Sequence, residues 1–109
     1  MKKILIIDDN KSNREVLGFL FRDEGFHTLL LDDGEDIETQ LADFSHDVVL
    51  MDIMMGKFNG ADICQRIKKT PRFSRIKVLL MTASNAFDKT DVSSTLADGI
   101  FQNRLTSMN

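Results

Sequence analysis

Lys3-Ile4-Leu5-Ile6-Ile7-Asp8-Asp9-Asn10 and Asp47-Val48-Val49-Leu50-Met51-Asp52 share one pattern, in which four consecutive apolar residues end on a carboxylate. Unbroken Ile, Leu and Val without period-two alternation is how a strand covered on both faces of a parallel sheet reads. Working outward, comparable runs occur at 28–31 and 77–81, and a weaker one at 99–102. Helical patterns separate these runs. Ser12-Asn13-Arg14-Glu15 has the form of a capping box, followed by Val16, Leu17, Leu20 and Phe21 at helical spacing and by Gly25 as a stop. A short second helix after Gly34 carries Ile37 and Leu41. A third opens at Asn59-Gly60, presents Ile63 and Ile67, and stops at Pro71. A fourth, at 88–97, has only Val92, Leu96 and Ala97 to bury, and its Thr and Ser make it the poorest helix former of the set.

Strand and helix alternating through the whole chain imply right-handed crossovers and an α/β three-layer sandwich with helices on both faces of a five-stranded parallel sheet. Ligands of such sheets bind at the carboxyl ends of the strands.

The chain has 109 residues, a formal charge of −3 and a single cysteine, which fits one small domain, residues 1–109, with no room for a separate DNA-binding or catalytic unit. Any output therefore passes through a surface. Cys64 cannot form an internal disulfide and reads as a small buried apolar side chain. The apolar run after Met1-Lys2-Lys3 stops at Asp8, too early for a signal peptide, and no run reaches membrane-spanning length. The expected location is the cytoplasm. Mild acidity, with no basic tract beyond Lys68-Lys69, argues against nucleic acid as a direct partner. His27 and His46 read as surface residues at the opposite edge from the acidic group, and Met51, Met54 and Met55 as core and loop packing.

Asp8, Asp9 and Asp52 all fall at carboxyl ends of predicted strands. Carboxylates brought together repel one another unless a cation or protons neutralise them. Hard oxygen ligands with coordination positions left open suit Mg²⁺. With the Thr82 hydroxyl at the end of the fourth strand, the set can accept and hold a phosphoryl group, a carboxylate acting as nucleophile. Asp8-Asp9-Asn10 taken alone also reads as turn and cap chemistry, and Thr82 alone is an ordinary strand residue. Asp52 needs a partner because it directly follows a buried run.

Together with Asn13-Arg14, Gly60 and Leu80-Met81-Thr82-Ala83, these segments resemble the receiver domain of two-component response regulators. The opening Asp8-Asp9-Asn10 with Asn13-Arg14 is especially similar to receivers carried on hybrid sensor kinases. The resemblance covers essentially the entire chain and implies flavodoxin-like strand order 2-1-3-4-5. It implies that Asp52 receives a phosphoryl group from a histidine kinase or phosphotransfer protein, that Asp9 binds Mg²⁺ directly with Asp8 acting through water, and that the Met54 carbonyl completes the metal ligands. Thr82 matches the switch hydroxyl, and Ala83 the small residue that leaves room for phosphate. The output implied is a changed surface for a downstream protein partner or effector domain. Such a domain is a phosphoacceptor, with self-phosphorylation and slow autodephosphorylation at most, rather than an enzyme.

The chain also departs from that family. The position of its phosphate-pairing Lys is Asn103 and that of the following Pro is Arg104, which leaves these two as the candidate phosphate contacts. Ile100 stands where the family carries a rotating aromatic, with Phe101 adjacent. Gly56 replaces a Pro and predicts a more flexible loop. Only Leu105-Thr106-Ser107-Met108-Asn109 stand where the family has a final helix, so that helix is missing or truncated. Either the chain is cut short or one sheet face is open, and a homodimer is one way to cover it. A degenerate receiver acting as a phosphorylation-independent interaction or dimerisation module is the alternative reading. An aspartyl phosphohydrolase is disfavoured, since Met54 stands where a second acid is needed.

Overall fold

The computed structural model describes residues 2–44, 46–82 and 95–102. Strands β1 (Lys3–Ile7), β2 (His27–Leu31), β3 (Val48–Asp52), β6 (Lys77–Thr82) and β7 (Gly99–Gln102) form one sheet in the order β2-β1-β3-β6-β7. Every pair is parallel, with Ile7 opposite both Leu31 and Met51, and Met81 opposite Asp52. This is the expected order, β6 and β7 being the fourth and fifth strands of the sheet.

Alternate residues of each strand enter different cores, as the pleat requires. Leu5, Ile7, Val49, Met51, Val78 and Leu80 pack with Ile37 and Leu41 of α2 (Ile37–Phe44) and with Ile63, Cys64 and Ile67 of α3 (Gly60–Lys69). Ile4, Ile6, Leu50 and Met81 face the other way, toward Leu17 and Phe21 of α1 (Lys11–Asp23). Both faces of the central strands are therefore apolar, which explains the unbroken runs. Cys64 is fully buried, and burial pushes its thiol up to about 11.

Several local expectations are corrected. The N-cap of α1 is Asn10, whose side chain accepts from the Asn13 N–H at 3.0 Å; Ser12 lies inside the helix, and Glu15 instead approaches Lys11 at 3.9 Å. Asn10 wins because it sits in extended backbone directly after the β1 turn, where an Asn side chain reaches the third helical N–H. Of the apolar stripe on α1, Leu17 and Phe21 pack on the sheet, whereas Val16 and Leu20 are 43% and 49% exposed. Gly18 fits that roll, since a Cβ there would lie 3.1 Å from the Leu30 side chain. The loop expected to be flexible around Gly56 forms a small antiparallel pair, β4 (Met54–Met55) with β5 (Phe58–Asn59), the left-handed Gly56 (φ 58°) allowing the tight connection. His46 is buried rather than superficial; burial, then the nearby Lys3 charge, lowers its pKa. His27 is exposed as expected.

α3 starts as predicted, with the Asn59 side chain accepting from the Ala61 N–H at 2.8 Å, and a short 3₁₀ turn, Pro71–Phe73, follows it. The Lys68 ammonium then donates to the carbonyls of Ser74 and Ile76 and to Asp98 Oδ2, which also accepts from the Val78 N–H at 2.8 Å. One side chain thus joins the end of α3 to the starts of β6 and β7. The expected fourth helix lies outside the described residues except at 95–97, and the residues in place of a final helix lie outside them entirely.

Leu96 precedes β7 with φ 65°, a left-handed conformation that costs a side-chain-bearing residue about 1 kcal/mol or more. Its side chain is 43% exposed, so more than half of it is covered and truncation forfeits that contact. Leu96→Gly should therefore lower stability by about 1 kcal/mol, the lost side-chain contact and the freer unfolded chain together outweighing the relief of the left-handed backbone. A urea midpoint that rises in this variant would show that the backbone strain at Leu96 is the larger effect.

Candidate functional site

β1 and β3 are adjacent and in register, so the residues at their carboxyl ends meet at one level of the sheet edge. Asp8 follows β1 directly, and Asp52 is the last residue of β3. Single ligand oxygens of Asp8, Asp9 and Asp52 lie within 4.8 Å of one another. Asp8 is fully buried, Asp52 half-buried and Asp9 exposed, so the group forms a graded mouth open on the Asp9 side.

Backbone groups fix the two inner carboxylates. The Asn10 N–H donates to Asp8 Oδ1 at 2.9 Å, and the Met54 N–H donates to Asp52 Oδ1 at 3.1 Å. The Arg14 guanidinium donates to the Asp8 carbonyl at 2.7 Å and ties the turn to α1. Behind Asp52, the Ile53 N–H donates to the Met81 carbonyl at 2.9 Å, and the Gly60 N–H donates to the Ile53 carbonyl at 2.8 Å. The loop after β3 is thereby held between β6 and the start of α3.

The electrostatics show an uncompensated site. Burial, reinforced by the Asp9 charge, raises the Asp8 pKa against the opposing Asn10, Arg14 and Asn13 contributions. Burial and the charges of Asp8 and Asp9 push Asp52 up to about 6, although the Met54 and Ile53 N–H groups oppose the shift. Among the described residues, Asp8 Oδ2 is buried without a hydrogen-bond partner. A buried carboxylate oxygen with no donor, beside two further carboxylates, fits a small hard cation better than it fits structural hydrogen bonding.

Thr82 is the last residue of β6, one place beyond the partner of Asp52 in the register, and is buried. The Met54 side chain is 74% exposed beside the site, whereas Met51 and Met55 are core residues. Ala83, Asn103 and Arg104 lie outside the described residues. The structure adds Arg14 and Gly60 as supports of the site. In the sequence, Arg14 stood inside a predicted capping box and Gly60 at a predicted helix start, and both stood in the family resemblance, without a supporting role at the site. Nothing local indicates that an Arg side chain folds back onto a strand-end carbonyl.

Fold and site together define a doubly wound α/β domain with an acidic, cation-seeking pocket at the carboxyl edge of its sheet. The chain belongs to the response regulator receiver domain family, whose model matches residues 4–103. It is 33% identical over 98 residues to the DNA-binding response regulator MtrA of Mycolicibacterium smegmatis, an alignment that covers 90% of this chain and 41% of that protein. MtrA of Mycobacterium tuberculosis matches at the same identity and coverage. The chain thus spans about two-fifths of the length of these relatives. Among solved structures, the response regulator TrrA of Thermotoga maritima, in complex with Mg²⁺ and BeF, is 27% identical with a TM-score of 0.83, covering 99% of this chain and 96% of that one. The receiver domain of a DNA-binding response regulator from Colwellia psychrerythraea is also 27% identical, with a TM-score of 0.86 over 95% of this chain and 87% of that one. No helix among the described residues is long and apolar enough to cross a membrane.

Proposed function

We propose that this domain accepts a phosphoryl group on Asp52 in a reaction that needs Mg²⁺. The observation that carries this reading is the convergence of three carboxylates within 4.8 Å, one of them presenting a buried oxygen with no donor. Asp9 and Asp52 would hold the ion directly, Asp8 from behind, with the Met54 carbonyl as the remaining protein ligand. The bound ion supplies positive charge that offsets the oxygens of the incoming phosphoryl group. A carboxylate oxygen of Asp52 forms the bond to phosphorus while the bond from phosphorus to the donor's leaving group breaks, giving an acyl phosphate. The Met54 N–H on Oδ1 orients the nucleophile, and the loop anchored by Gly60 and Met81 keeps it at the sheet edge. On this reading the Thr82 hydroxyl, at the end of the neighbouring strand, meets the phosphoryl oxygens, and Ala83 is the small residue that leaves them space.

The donor is a histidine kinase or phosphotransfer protein, and the acceptor surface then serves a downstream protein or effector domain. DNA binding belongs to the relatives named above, whose additional length this chain does not match. Incubation with Mg²⁺ and acetyl phosphate should add one phosphoryl mass, which EDTA and Asp52→Asn should each abolish. An unchanged intact mass across several small phosphodonors would refute the reading. Asn103, standing where the family has Lys, favours a second reading as a phosphorylation-independent interaction module. Under that reading beryllofluoride would leave partner affinity and oligomeric state unchanged.

A further inference from the structure

Charge is strongly segregated along this chain. No Lys or Arg occurs between Arg22 and Lys57, and between Asp62 and Asp88 there are six cations, Arg66, Lys68, Lys69, Arg72, Arg75 and Lys77, with no carboxylate. Lys68 and Lys77 are paired with Asp98. Among the described residues, neither Arg72 nor Arg75 has a carboxylate within ion-pair distance.

These two arginines line the same cavity, of about 270 Å³, at the amino-terminal edge of the sheet, opposite the acidic pocket. Its inner wall is formed by Leu41, Phe73 and Ile76, which belong to the core. The Arg72 guanidinium lies over the Phe73 ring, 5.1 Å from its centroid, which holds the cation at the wall and limits the side-chain entropy lost on binding. Two other ionisable groups reach the cavity. His46 is buried, and burial followed by the Lys3 charge lowers its pKa, which keeps it neutral at pH 7. Asp47 is the one carboxylate there, and its Oδ2 accepts from the Lys3 N–H at 2.8 Å. The cavity therefore carries an excess of positive charge on a domain whose formal charge is −3.

We infer that this amino-edge cavity binds a small oxyanion, a carboxylate or phosphate group of an organic ligand, between the Arg72 and Arg75 guanidiniums. Planar guanidinium forks match the paired oxygens of both groups, and the core residues behind them receive an apolar body. The site is separate from the acidic pocket and does not depend on the phosphoacceptor reading.

The test is a titration of the ¹⁵N-labelled full chain, in EDTA and at constant ionic strength, with inorganic phosphate in one arm and benzoate in the other. Saturable shifts confined to the amides of residues 41–47 and 72–76, with a dissociation constant on the order of 1 mM or tighter, support the site. The arm that saturates identifies the ligand as phosphate or carboxylate. Arg72→Ala and Arg75→Ala should each weaken binding about tenfold. Arg75→Ala, which leaves the Arg72 stack on Phe73 intact, keeps the test valid if Arg72→Ala perturbs folding. Arg66→Ala, which removes an exposed cation outside the cavity, should leave binding unchanged. Absence of saturation in both arms, or equal weakening by Arg66→Ala, overturns the inference in favour of diffuse charge attraction.

Discussion

Asp52→Asn should make the metal-free protein more stable, by about 2 kcal/mol at pH 7.5, while removing its proposed phosphoacceptor. The wild-type carboxyl has a folded-state pKa of about 6, against an ordinary 3.8. Well below pH 3.8 it is protonated in both folded and unfolded chains, so the site carries no penalty. Between pH 4 and pH 6 the unfolded chain releases this proton while the folded chain keeps it. Stability therefore falls as pH rises through that window, and above it a desolvated anion faces Asp8 and Asp9. A shift of this size corresponds to about 3 kcal/mol, which solvent access to the half-buried Asp52 reduces to about 2. Asparagine keeps the shape and can still accept from the Met54 N–H, but carries no charge. The gain should shrink to a few tenths of a kcal/mol at pH 4. Mg²⁺ should reverse the ranking by stabilising the wild type far more than the variant. Urea unfolding at pH 4 and pH 7.5, with EDTA or with Mg²⁺, measures all four cases. A variant no more stable than wild type at pH 7.5 in EDTA would show that the carboxylate is not under strain.

Gly60→Ala should cost about 3 kcal/mol of stability and also slow phosphorylation of Asp52. A Cβ at this position would lie 2.4 Å from the Asp52 carbonyl oxygen, 3.1 Å from its carbon and 3.0 Å from Ile53 Cα. All three are backbone atoms, pinned by the hydrogen bonds from Gly60 to Ile53 and from Ile53 to Met81, so no rotamer change relieves the clash. Either α3 backs away from the sheet or the strand end carrying Asp52 shifts, and the latter moves the nucleophile. The preference of alanine for helix recovers only a fraction of this cost. Gly34→Ala is the informative contrast, because its Cβ would also approach to 2.4 Å, but to Ile63 Cδ1, the tip of a side chain that can turn away. It should lose about 1 kcal/mol and phosphorylate at the wild-type rate. Equal losses in the two variants would contradict the distinction between rigid backbone and mobile side chain.

The strands were legible because burial on both faces leaves an unambiguous mark. The four clear apolar runs and the weaker 99–102 each became a strand of the sheet, displaced by one residue at most at either end. Asp8 and Asp52 stood out for a related reason: a carboxylate directly after a buried run is costly unless something at the sheet edge uses it. Helix faces were less legible. Val16 and Leu20 share the apolar spacing of Leu17 and Phe21, and only the packed structure shows that the Leu17 and Phe21 side of α1 meets the sheet, with Gly18 close against Leu30. Ser12 and Asn10 are both competent caps, and the geometry of the turn leaving β1 selected Asn10. The β4–β5 pair was missed because two-residue strands carry no periodicity.

By itself, then, the sequence determined the parallel sheet, its strand ends and the three carboxylates that gather there, since these follow from unbroken apolar runs and the cost of burying charge. Only the tertiary structure decided how deep each carboxylate sits, that Asp8 Oδ2 is left without a donor among the described residues, and that no side chain fits at Gly60 beside the Asp52 backbone. It alone brought Arg72 and Arg75 to one cavity at the far edge. Those properties depend on distances between residues remote in the chain, which the packing of α3 and the strand register set and no local pattern encodes.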